Sequence, residues 1–188
     1  MHAGDLVLTS VPSDSLEDRP DFDTLVAAHQ QRVIRTAYRL LGRMEDAQDA
    51  AQEVFIRLLK HQTKIQGDAQ SWLYRVTVNV CNDQYRRRVF IVDAPTLEHT
   101  DPAPSPERAL EISERKSLLM AGLATLPERE RACVVLRDVE GLTTREVAEI
   151  LGVEEVTVRS QISTARMKLA KYVRNPSSQR ARREPCES

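Results

Sequence analysis

The chain has 188 residues, of which 41% are hydrophobic and 29% charged, and its formal net charge is −1. This length accommodates one or two domains, and because no run of 18 apolar residues occurs, the sequence excludes a membrane-spanning helix. Three widely spaced cysteines without a CxxC pair indicate neither a disulfide framework nor a metal site, and without a secretory signal the expected location is the cytoplasm.

The first 20 residues are polar and acidic, and they include two prolines. This composition predicts a disordered acidic arm. The first helix is predicted to begin near Asp21 or Asp23 and to run to Leu41. Gly42 is expected to end it, because glycine readily adopts the left-handed conformation that helices use to stop.

The second predicted helix has the sequence DAQDAAQEVFIRLLK. Its apolar residues recur at helical spacing and predict a buried stripe of Ala47, Ala51, Val54 and Leu58. A different face carries Asp46, Asp49 and Glu53. The helix dipole favours acids in the first turn, which accounts for Asp46 and Asp49 but not for Glu53. An acidic face of this kind is suited to docking a basic protein surface.

A third helix is predicted to start at Trp72, with Ser71 as its cap, and to end in three consecutive arginines at 86–88. Its inward face is predicted to consist of Trp72, Leu73, Val76 and Val80. A polar stripe is formed by Arg75, Asn79, Asn82 and Arg86. Both a solvated helix end and a DNA contact fit this stripe, and composition leaves the two interpretations open.

Residues 89–106 break the helical pattern, with four prolines among Asp, Thr and Ser. Proline removes a backbone donor and disfavours helix, so this stretch predicts a flexible linker. The predicted fold is therefore all-α, with two small helical domains at 21–88 and 107–174. A disordered basic tail is expected at 175–188.

Two apolar helical stretches open the second domain. The first is predicted from Leu110, Leu118, Leu119 and Leu123. Pro127 fits the first turn of the next helix, where its missing N–H costs nothing. The apolar face of that helix is predicted to consist of Cys133, Val134, Leu136 and Val139.

The stretch from Leu142 to Leu169 is typical of two short helices joined by a tight turn. Thr143 or Thr144 can cap the first helix, and Gly152 can end it. The apolar face of the second helix is predicted to consist of Val158, Ile162, Ala165 and Leu169. Its opposite face carries Ser160, Ser163, Thr164 and Met167. This pattern predicts a helix-turn-helix whose second helix enters the major groove.

The charge around this second helix also favours DNA binding. Between Val156 and Arg183 there are eight Lys or Arg and no Asp or Glu. Phosphate contacts supply much of the affinity of proteins for DNA, so this run of exclusively positive charge favours a DNA-binding function.

Three motifs, in this order and spacing, resemble the bacterial RNA polymerase sigma factors of the extracytoplasmic-function type, over residues 22–88 and 107–174. DAQDAAQEVF is similar to the family's second-region helix, which binds the coiled coil of the β′ subunit. WLYRVTVNVCNDQYRRR resembles the helix that opens and reads the −10 element. LPERERACVVLRDVEGLTTREVAEILGVEEVTVRSQISTARMKL resembles the fourth region, which reads the −35 element and touches the β flap.

The resemblance implies roles for the residues at matching positions. On the core-binding helix these are Asp46, Asp49, Gln52, Glu53 and Phe55. On the −10 helix they are Arg75, Asn79, Asp83, Arg86 and Arg87. On the −35 surface they are Thr144, Arg145, Arg159, Ser160, Ser163 and Thr164. The resemblance also implies no cofactor and no metal, and control by an anti-sigma factor.

The chain departs from the family pattern at three places, and these departures affect the expected promoter preference but not the expected general role. Residues 144–146 are Thr-Arg-Glu, where members often carry Tyr-Glu-Glu, and residues 160–166 replace the frequent Ser-Arg-Leu-His-Arg-Ala-Arg. The loop at 66–71 lacks the aromatic residue that often helps to hold a flipped −10 base. The promoter sequence is therefore not implied by the resemblance.

A free-standing helix-turn-helix regulator is the alternative function, and it would bind its operator tightly without polymerase. The acidic second helix argues against that alternative. We expect no enzyme, because the sequence contains no GxSxG nucleophile motif, no P-loop and no paired carboxylates in a cleft-like setting.

Overall fold

The structure, a computed structural model, describes residues 21–61, 68–89 and 106–174. The predicted arm, most of the predicted linker and the predicted tail lie outside the described residues, as does the side chain of Leu110. Within these ranges the chain forms seven α-helices and one π-helical turn, and no strand. They are α1 (Phe22–Leu41), α2 (Met44–His61), α3 (Ala69–Val89), α4 (Pro106–Ala124), α5 (Glu128–Val134), the π turn (Val135–Val139), α6 (Thr144–Leu151) and α7 (Glu155–Arg174).

The predicted bounds of α1 are confirmed. The Asp21 carboxylate accepts a hydrogen bond from the backbone N–H of Phe22 at 2.8 Å. At the other end, Gly42 has φ +83° and donates its N–H to the carbonyl of Tyr38. The left-handed glycine thus satisfies one of the carbonyls that a helix end leaves without a partner.

The buried stripe of α2 is also confirmed, since Ala47, Ala51, Val54 and Leu58 are all buried. The small side chains at the start of this stripe allow α2 to pack closely along α1. α3 packs against both helices, and the three form a compact N-terminal group.

α3 begins three residues earlier than predicted, so the assignment of Ser71 as its cap was wrong. Asp68 takes that place, because its carboxylate accepts hydrogen bonds from the backbone N–H groups of Gln70 and Ser71. Ser71 adds a bond from its own hydroxyl to Asp68 at 3.0 Å. One carboxylate with two oxygens serves several first-turn donors, which a serine hydroxyl cannot do.

The predicted inward face of α3 is incomplete. Leu73 and Val80 are buried, whereas Trp72 and Val76 are only half-buried. Four further residues of this helix are buried, namely Tyr74, Thr77, Val78 and Cys81. The helix is covered on more than one side because the C-terminal helices also pack against it.

In α4, Leu119 is 44% exposed while Met120 is buried. One residue of the C-terminal group was wrongly predicted to face inward, namely Val139, which is 38% exposed. Val139 ends the π turn, in which each hydrogen bond closes over one more residue than in an α-helix. The wider turn rotates Val139 away from the face that α-helical spacing predicts.

The helix-turn-helix follows the predicted pattern. Thr143 caps α6 in a capping box, with its hydroxyl accepting from the N–H of Glu146 and the Glu146 carboxylate accepting from the N–H of Thr143. Gly152 ends α6 with φ +65°. Val158, Ile162 and Ala165 of α7 are buried, and Leu169 is half-buried against them.

The two helical groups pack against each other. Helices α1 and α3 contact α4, α5, the π turn and α6, and the buried side chains of both groups form one continuous hydrophobic cluster. The sequence predicted two compact units but gave no indication of this contact between them.

Candidate protein and nucleic-acid interfaces

The acidic face of α2 is accessible in its central turns. Asp49 and Gln52 are exposed, and the half-exposed Glu53 pairs with Arg57 of the next turn at 2.8 Å. Asp46 and Phe55 are half-buried, and Phe55 packs against the core cluster. The five predicted residues therefore lie on one helix but not on one face, since Asp46, Asp49 and Glu53 recur at helical spacing while Phe55 lines the side toward α1. Asp49 and Gln52 face solvent fully.

An open groove of about 550 Å³ runs beside this acidic face, between α1 and α2. Its lining is mostly apolar and includes Phe22, Val26 and Ile34 of α1 and Phe55, Ile56 and Leu59 of α2. Gln48 and Gln52 add amides at its edge. Ile56 and Leu59 are 46% and 60% exposed. The predicted buried stripe gave no indication of this groove, although Phe55, Ile56 and Leu59 lie outside that stripe and mark a second apolar surface.

The polar stripe of α3 faces outward, but two of its arginines already contact the C-terminal helices. Arg75 donates to the carbonyl of Glu149 at 3.2 Å. Arg86 pairs with Glu128 at 2.8 Å, and this hydrogen bond raises the pKa of the Arg86 guanidinium above its ordinary value. The other three predicted residues of this surface are also exposed, namely Asn79, Asp83 and Arg87.

The predicted surface on α6 and α7 is continuous and open. Arg145, Arg159, Ser160 and Ser163 are exposed, and Thr144 and Thr164 are half-buried. Arg145 pairs with Glu149, and Arg159 pairs with Glu155, each one turn away on its own helix. Exposed pairs of this kind contribute little to stability, so both guanidiniums can exchange a carboxylate for a phosphate at small cost.

Two further cations of α7 are held by carboxylates of the preceding helices. Arg166 makes two hydrogen bonds to Asp138, at 2.9 and 2.6 Å. Lys168 pairs with Glu130 at 2.7 Å, and the Glu130 side chain is 11% exposed. These pairs fix α7 against α5 and the π turn. No local signal predicts them, because 28 and 38 residues separate the partners.

The two described cysteines are not reactive sites. Burial raises the pKa of the Cys81 thiol to about 12 and that of Cys133 to about 11, so both stay protonated and weakly nucleophilic. Within the described ranges, no group of three His, Cys, Asp or Glu is placed to hold a metal ion. None of the described helices has the length and apolarity needed to cross a membrane.

Family models match both helical groups. The model for Sigma-70 region 2 covers residues 25–90, and the model for Sigma-70 region 4 covers residues 116–169. The ECF RNA polymerase sigma factor SigE of Mycolicibacterium smegmatis is 42% identical over 167 residues. That match spans 86% of this chain but only 65% of SigE, just under two thirds. The ECF RNA polymerase sigma factor SigM of Mycobacterium tuberculosis is 34% identical, over 83% of this chain and 79% of SigM.

Solved structures share the helical arrangement. The sigma factor RpoE, solved in complex with the anti-sigma factor NepR from Bartonella quintana, superposes with a TM-score of 0.67 at 19% identity, covering 82% of this chain and 97% of RpoE. CnrH, in complex with the cytosolic domain of CnrY, gives a TM-score of 0.61 at 23% identity, covering 81% of this chain and 86% of CnrH. At these identities the likeness establishes the fold.

Proposed function

Because the chain belongs to the ECF RNA polymerase sigma factors, we propose that it binds core RNA polymerase and directs initiation at promoters with −10 and −35 elements. The observation that carries the proposal is the placement of three different surfaces on one chain, an acidic helix beside an apolar groove, a polar stripe on α3 and a basic helix-turn-helix. A DNA-binding module alone would not need the first surface. The protein acts without catalysis, as an initiation factor in the cytoplasm.

Core polymerase docks on α2 in this proposal. Asp49, Gln52 and Glu53 supply the polar contacts, and Asp46 and Phe55 support them from half-buried positions. The groove beside them, with the exposed Ile56 and Leu59, offers apolar area to a helix of the partner. An acidic helix face beside an apolar groove fits a basic amphipathic helix, and the family resemblance names the β′ coiled coil as the partner of this helix.

Promoter DNA is contacted by α3 and by the helix-turn-helix of α6 and α7. Arg75, Arg86 and Arg87 hold the backbone at the −10 element, while Asn79 and Asp83 face the bases. Six residues form the −35 surface, namely Thr144, Arg145, Arg159, Ser160, Ser163 and Thr164. The exposed serines at the N-terminal half of α7 lie where a recognition helix reads base edges.

Each base contact contributes about 1–3 kcal/mol of discrimination, so either DNA surface alone binds weakly. Joining them through the polymerase raises the effective concentration of the second contact once the first has formed. Control by an anti-sigma factor forms part of the proposal. The support for it is that the solved neighbours RpoE and CnrH were captured in complexes, the first with a protein named as an anti-sigma factor.

The test is run-off transcription with purified bacterial core polymerase, together with a DNA-free measurement of core association. The double variant Asp49→Lys/Glu53→Lys places like charges against the expected basic partner. We expect its association with core to weaken by about 30- to 5000-fold, as when truncation of buried interface charges costs about 2–5 kcal/mol.

The matched control is Glu149→Lys/Glu154→Lys, which makes the same charge change on the helix-turn-helix. We expect it to retain core association in the DNA-free measurement. Unchanged association of the α2 variant would refute the docking surface. Tight, sequence-specific duplex binding without polymerase, and no transcript with it, would instead establish the free-standing regulator.

A further inference from the structure

The outward face of α7 begins with an exposed apolar side chain. Val156 lies in the first turn of this helix and is 60% exposed. Ser160 and Ser163, which are also exposed, follow it at helical spacing. Side chains four and seven residues apart share one face of a helix, so these three residues form a single row, the outer row of α7. The row lies on the far side of the helix from the buried Val158 and Ile162 and faces solvent.

The valines next to Val156 in sequence are used by the fold, whereas Val156 is not. Val153 packs against the hydrophobic cluster and Val158 is fully buried, but within the described ranges Val156 belongs to neither the cluster nor the side chains packed on it. A single exposed valine is ordinary on a protein surface. The informative feature is its place, since it heads a row whose other members belong to the proposed −35 surface.

The arginines of α7 lie beside this row rather than in it. Arg159 follows Val156 by three residues, which places it about 60° round the helix, and it pairs with Glu155 at 2.7 Å. Arg166 lies on the same flank and makes two hydrogen bonds to Asp138. Bidentate reading of guanine needs a side chain with two donors at the base edge. The row itself presents a valine and two hydroxyls, so its arginine neighbours suit phosphates at the edge of the groove.

The chemical groups of the row fit thymine better than the other bases. In the major groove, thymine presents a C5-methyl group that cytosine lacks. The two methyl groups of Val156 can cover that methyl group, whereas a serine hydroxyl both donates and accepts and discriminates less between bases. From Val156 to Ser163 the helix rises about 10 Å, roughly three base-pair steps. The start of the row therefore favours one kind of base, while the rest tolerates several.

We propose that Val156 is a specificity-determining residue of the helix-turn-helix, and that it selects thymine at one position of the −35 element by packing against the C5-methyl group. This inference rests on the proposed function for the identity of the element. The apolar contact itself belongs to the helix-turn-helix, so it also holds if the protein is a free-standing regulator. Ser160, Ser163 and Arg159 supply the hydrogen bonds and the phosphate contact around it, and the proposed −35 surface extends to the first turn of α7.

The first measurement isolates the methyl group. The full chain in complex with core polymerase selects duplexes from a pool of randomised sequence, and the most enriched duplex becomes the probe. Each thymine of its −35 element is then replaced singly by deoxyuridine, which removes the C5-methyl group alone. We expect one replacement to weaken binding by about fourfold, the effect of taking one methyl group out of an apolar contact. The other replacements should have smaller effects.

The second measurement assigns this methyl effect to Val156. In Val156→Ala the same replacement should weaken binding by less than about 1.5-fold, because the double-mutant cycle removes both sides of one contact. Alanine is the strongest helix former and the site is exposed, so the variant should keep its fold, which circular dichroism checks. Val156→Thr retains one of the two methyl groups and should keep part of the effect.

A methyl group on a different base provides a rescue. With a G·C pair at the sensitive position, 5-methylcytosine should bind the parent chain more tightly than cytosine does. This gain should disappear in Val156→Ala. A purely structural role of Val156 would not distinguish two duplexes that differ only in one methyl group.

Met167→Ala is the matched control. Met167 is 63% exposed on the same outward face, but it lies about 16 Å further along the helix, beyond the N-terminal part from which a recognition helix reads bases. Its replacement should leave the fourfold effect of deoxyuridine at the parental size.

Equal losses on deoxyuridine replacement in the parent and in Val156→Ala, or no loss at any thymine in the parent, overturn the contact. A selected −35 element without thymine overturns it as well. Loss of core association by Val156→Ala in the DNA-free measurement would assign this residue to a protein contact instead. Enrichment by the free chain but not with polymerase overturns the proposed function, and the methyl comparison is then made on that duplex. No enrichment in either case overturns both.

Discussion

The two proposed DNA-binding surfaces of this chain differ in what surrounds their arginines. On α6 and α7, Arg145 and Arg159 pair with carboxylates one turn away on their own helices. On α3, Arg75 and Arg86 contact residues 74 and 42 positions further along the chain. The first surface is complete within the 21 residues from Thr144 to Thr164, whereas the arginine contacts of the second depend on how the two helical groups pack.

This difference separates a surface whose arginines pair within their own helices from one whose arginines contact the other helical group. The helix-turn-helix keeps its shape through a capping box, a left-handed glycine and the pairs at Asp138 and Glu130. The α3 surface has its shape too, but its cations are shared with the C-terminal group. Breaking the contact between groups should therefore affect α3 and leave α7 almost unchanged.

The largest effect is expected from Arg131→Ala, which removes the buried guanidinium between the groups. Its loss leaves the carbonyls of Leu40 and Leu126 without that donor and empties the space over Tyr85. We expect the free energy of unfolding to fall by about 2–4 kcal/mol. Urea unfolding followed by circular dichroism measures this change.

Arg129→Ala is the matched control, since Arg129 lies exposed on the same short helix. Its effect should stay within about 0.5 kcal/mol. A loss below about 1 kcal/mol for Arg131→Ala would show that the contact between the groups contributes little, and the contrast between the two surfaces would then lose its basis.

The features that the sequence predicted are those set by residues close together in the chain, as on α6 and α7, rather than those set by contacts between the two helical groups. Gly42 and Gly152 were placed correctly, and the caps Asp21 and Thr143 were each one of two predicted residues, because capping and left-handed positions act within four residues. The buried stripes of α2 and α7 followed from helical spacing. The family resemblance was confirmed by matches to both regions, while the individual site residues remain predictions.

The failures come from contacts that spacing does not encode. Val139 was misplaced because a π turn changes the angle per residue, and Tyr74 and Val78 were missed because α3 is covered from a second side. Glu140 looks in sequence like an ordinary surface acid before a glycine. Its burial depends on Thr36, Arg39 and Tyr74, which are 66 or more residues away.

A smaller effect, confined to the helix-turn-helix, is expected from Gly152→Ala. The backbone there has φ +65°, and nothing lies within 4 Å of an added Cβ, so the cost is conformational alone. We expect a loss of about 1–2 kcal/mol, because an alanine in this region is strained. Gly152→Asn should lose less, since asparagine tolerates the left-handed conformation.

Hydrogen exchange shows where the Gly152→Ala loss falls. We expect faster exchange in α6 and the start of α7, with the protection of α1 and α3 retained. Equal loss of protection in all of these helices would mean that the helix-turn-helix does not open as a separate unit, contrary to the local character assigned to it.

The smallest effect concerns pH and compares the two helix starts that rely on carboxylates. Partial burial raises the pKa of Asp68, but hydrogen bonds from the backbone of Ser71 and Gln70 outweigh it and leave the pKa below its ordinary 3.8. Hydrogen bonds from the Thr143 side chain and backbone lower the pKa of Glu146 in the same way. Both carboxylates therefore stabilise the fold above their unfolded pKa, and this contribution disappears as the pH falls through the folded pKa.

Asp68→Asn should change stability little at pH 7, because asparagine also caps helices well. Its melting temperature should then fall less than that of the parent between about pH 5 and pH 3, where the parent loses its charged cap. Glu146→Gln should likewise reduce the fall in melting temperature over this pH range, because it weakens the α6 cap alone. If neither substitution alters the pH profile of melting, these hydrogen bonds do not favour the charged forms. If only Glu146→Gln does, the start of α3 is held by packing between the groups rather than by its own cap, which would extend the contrast between the two surfaces to the ends of their helices.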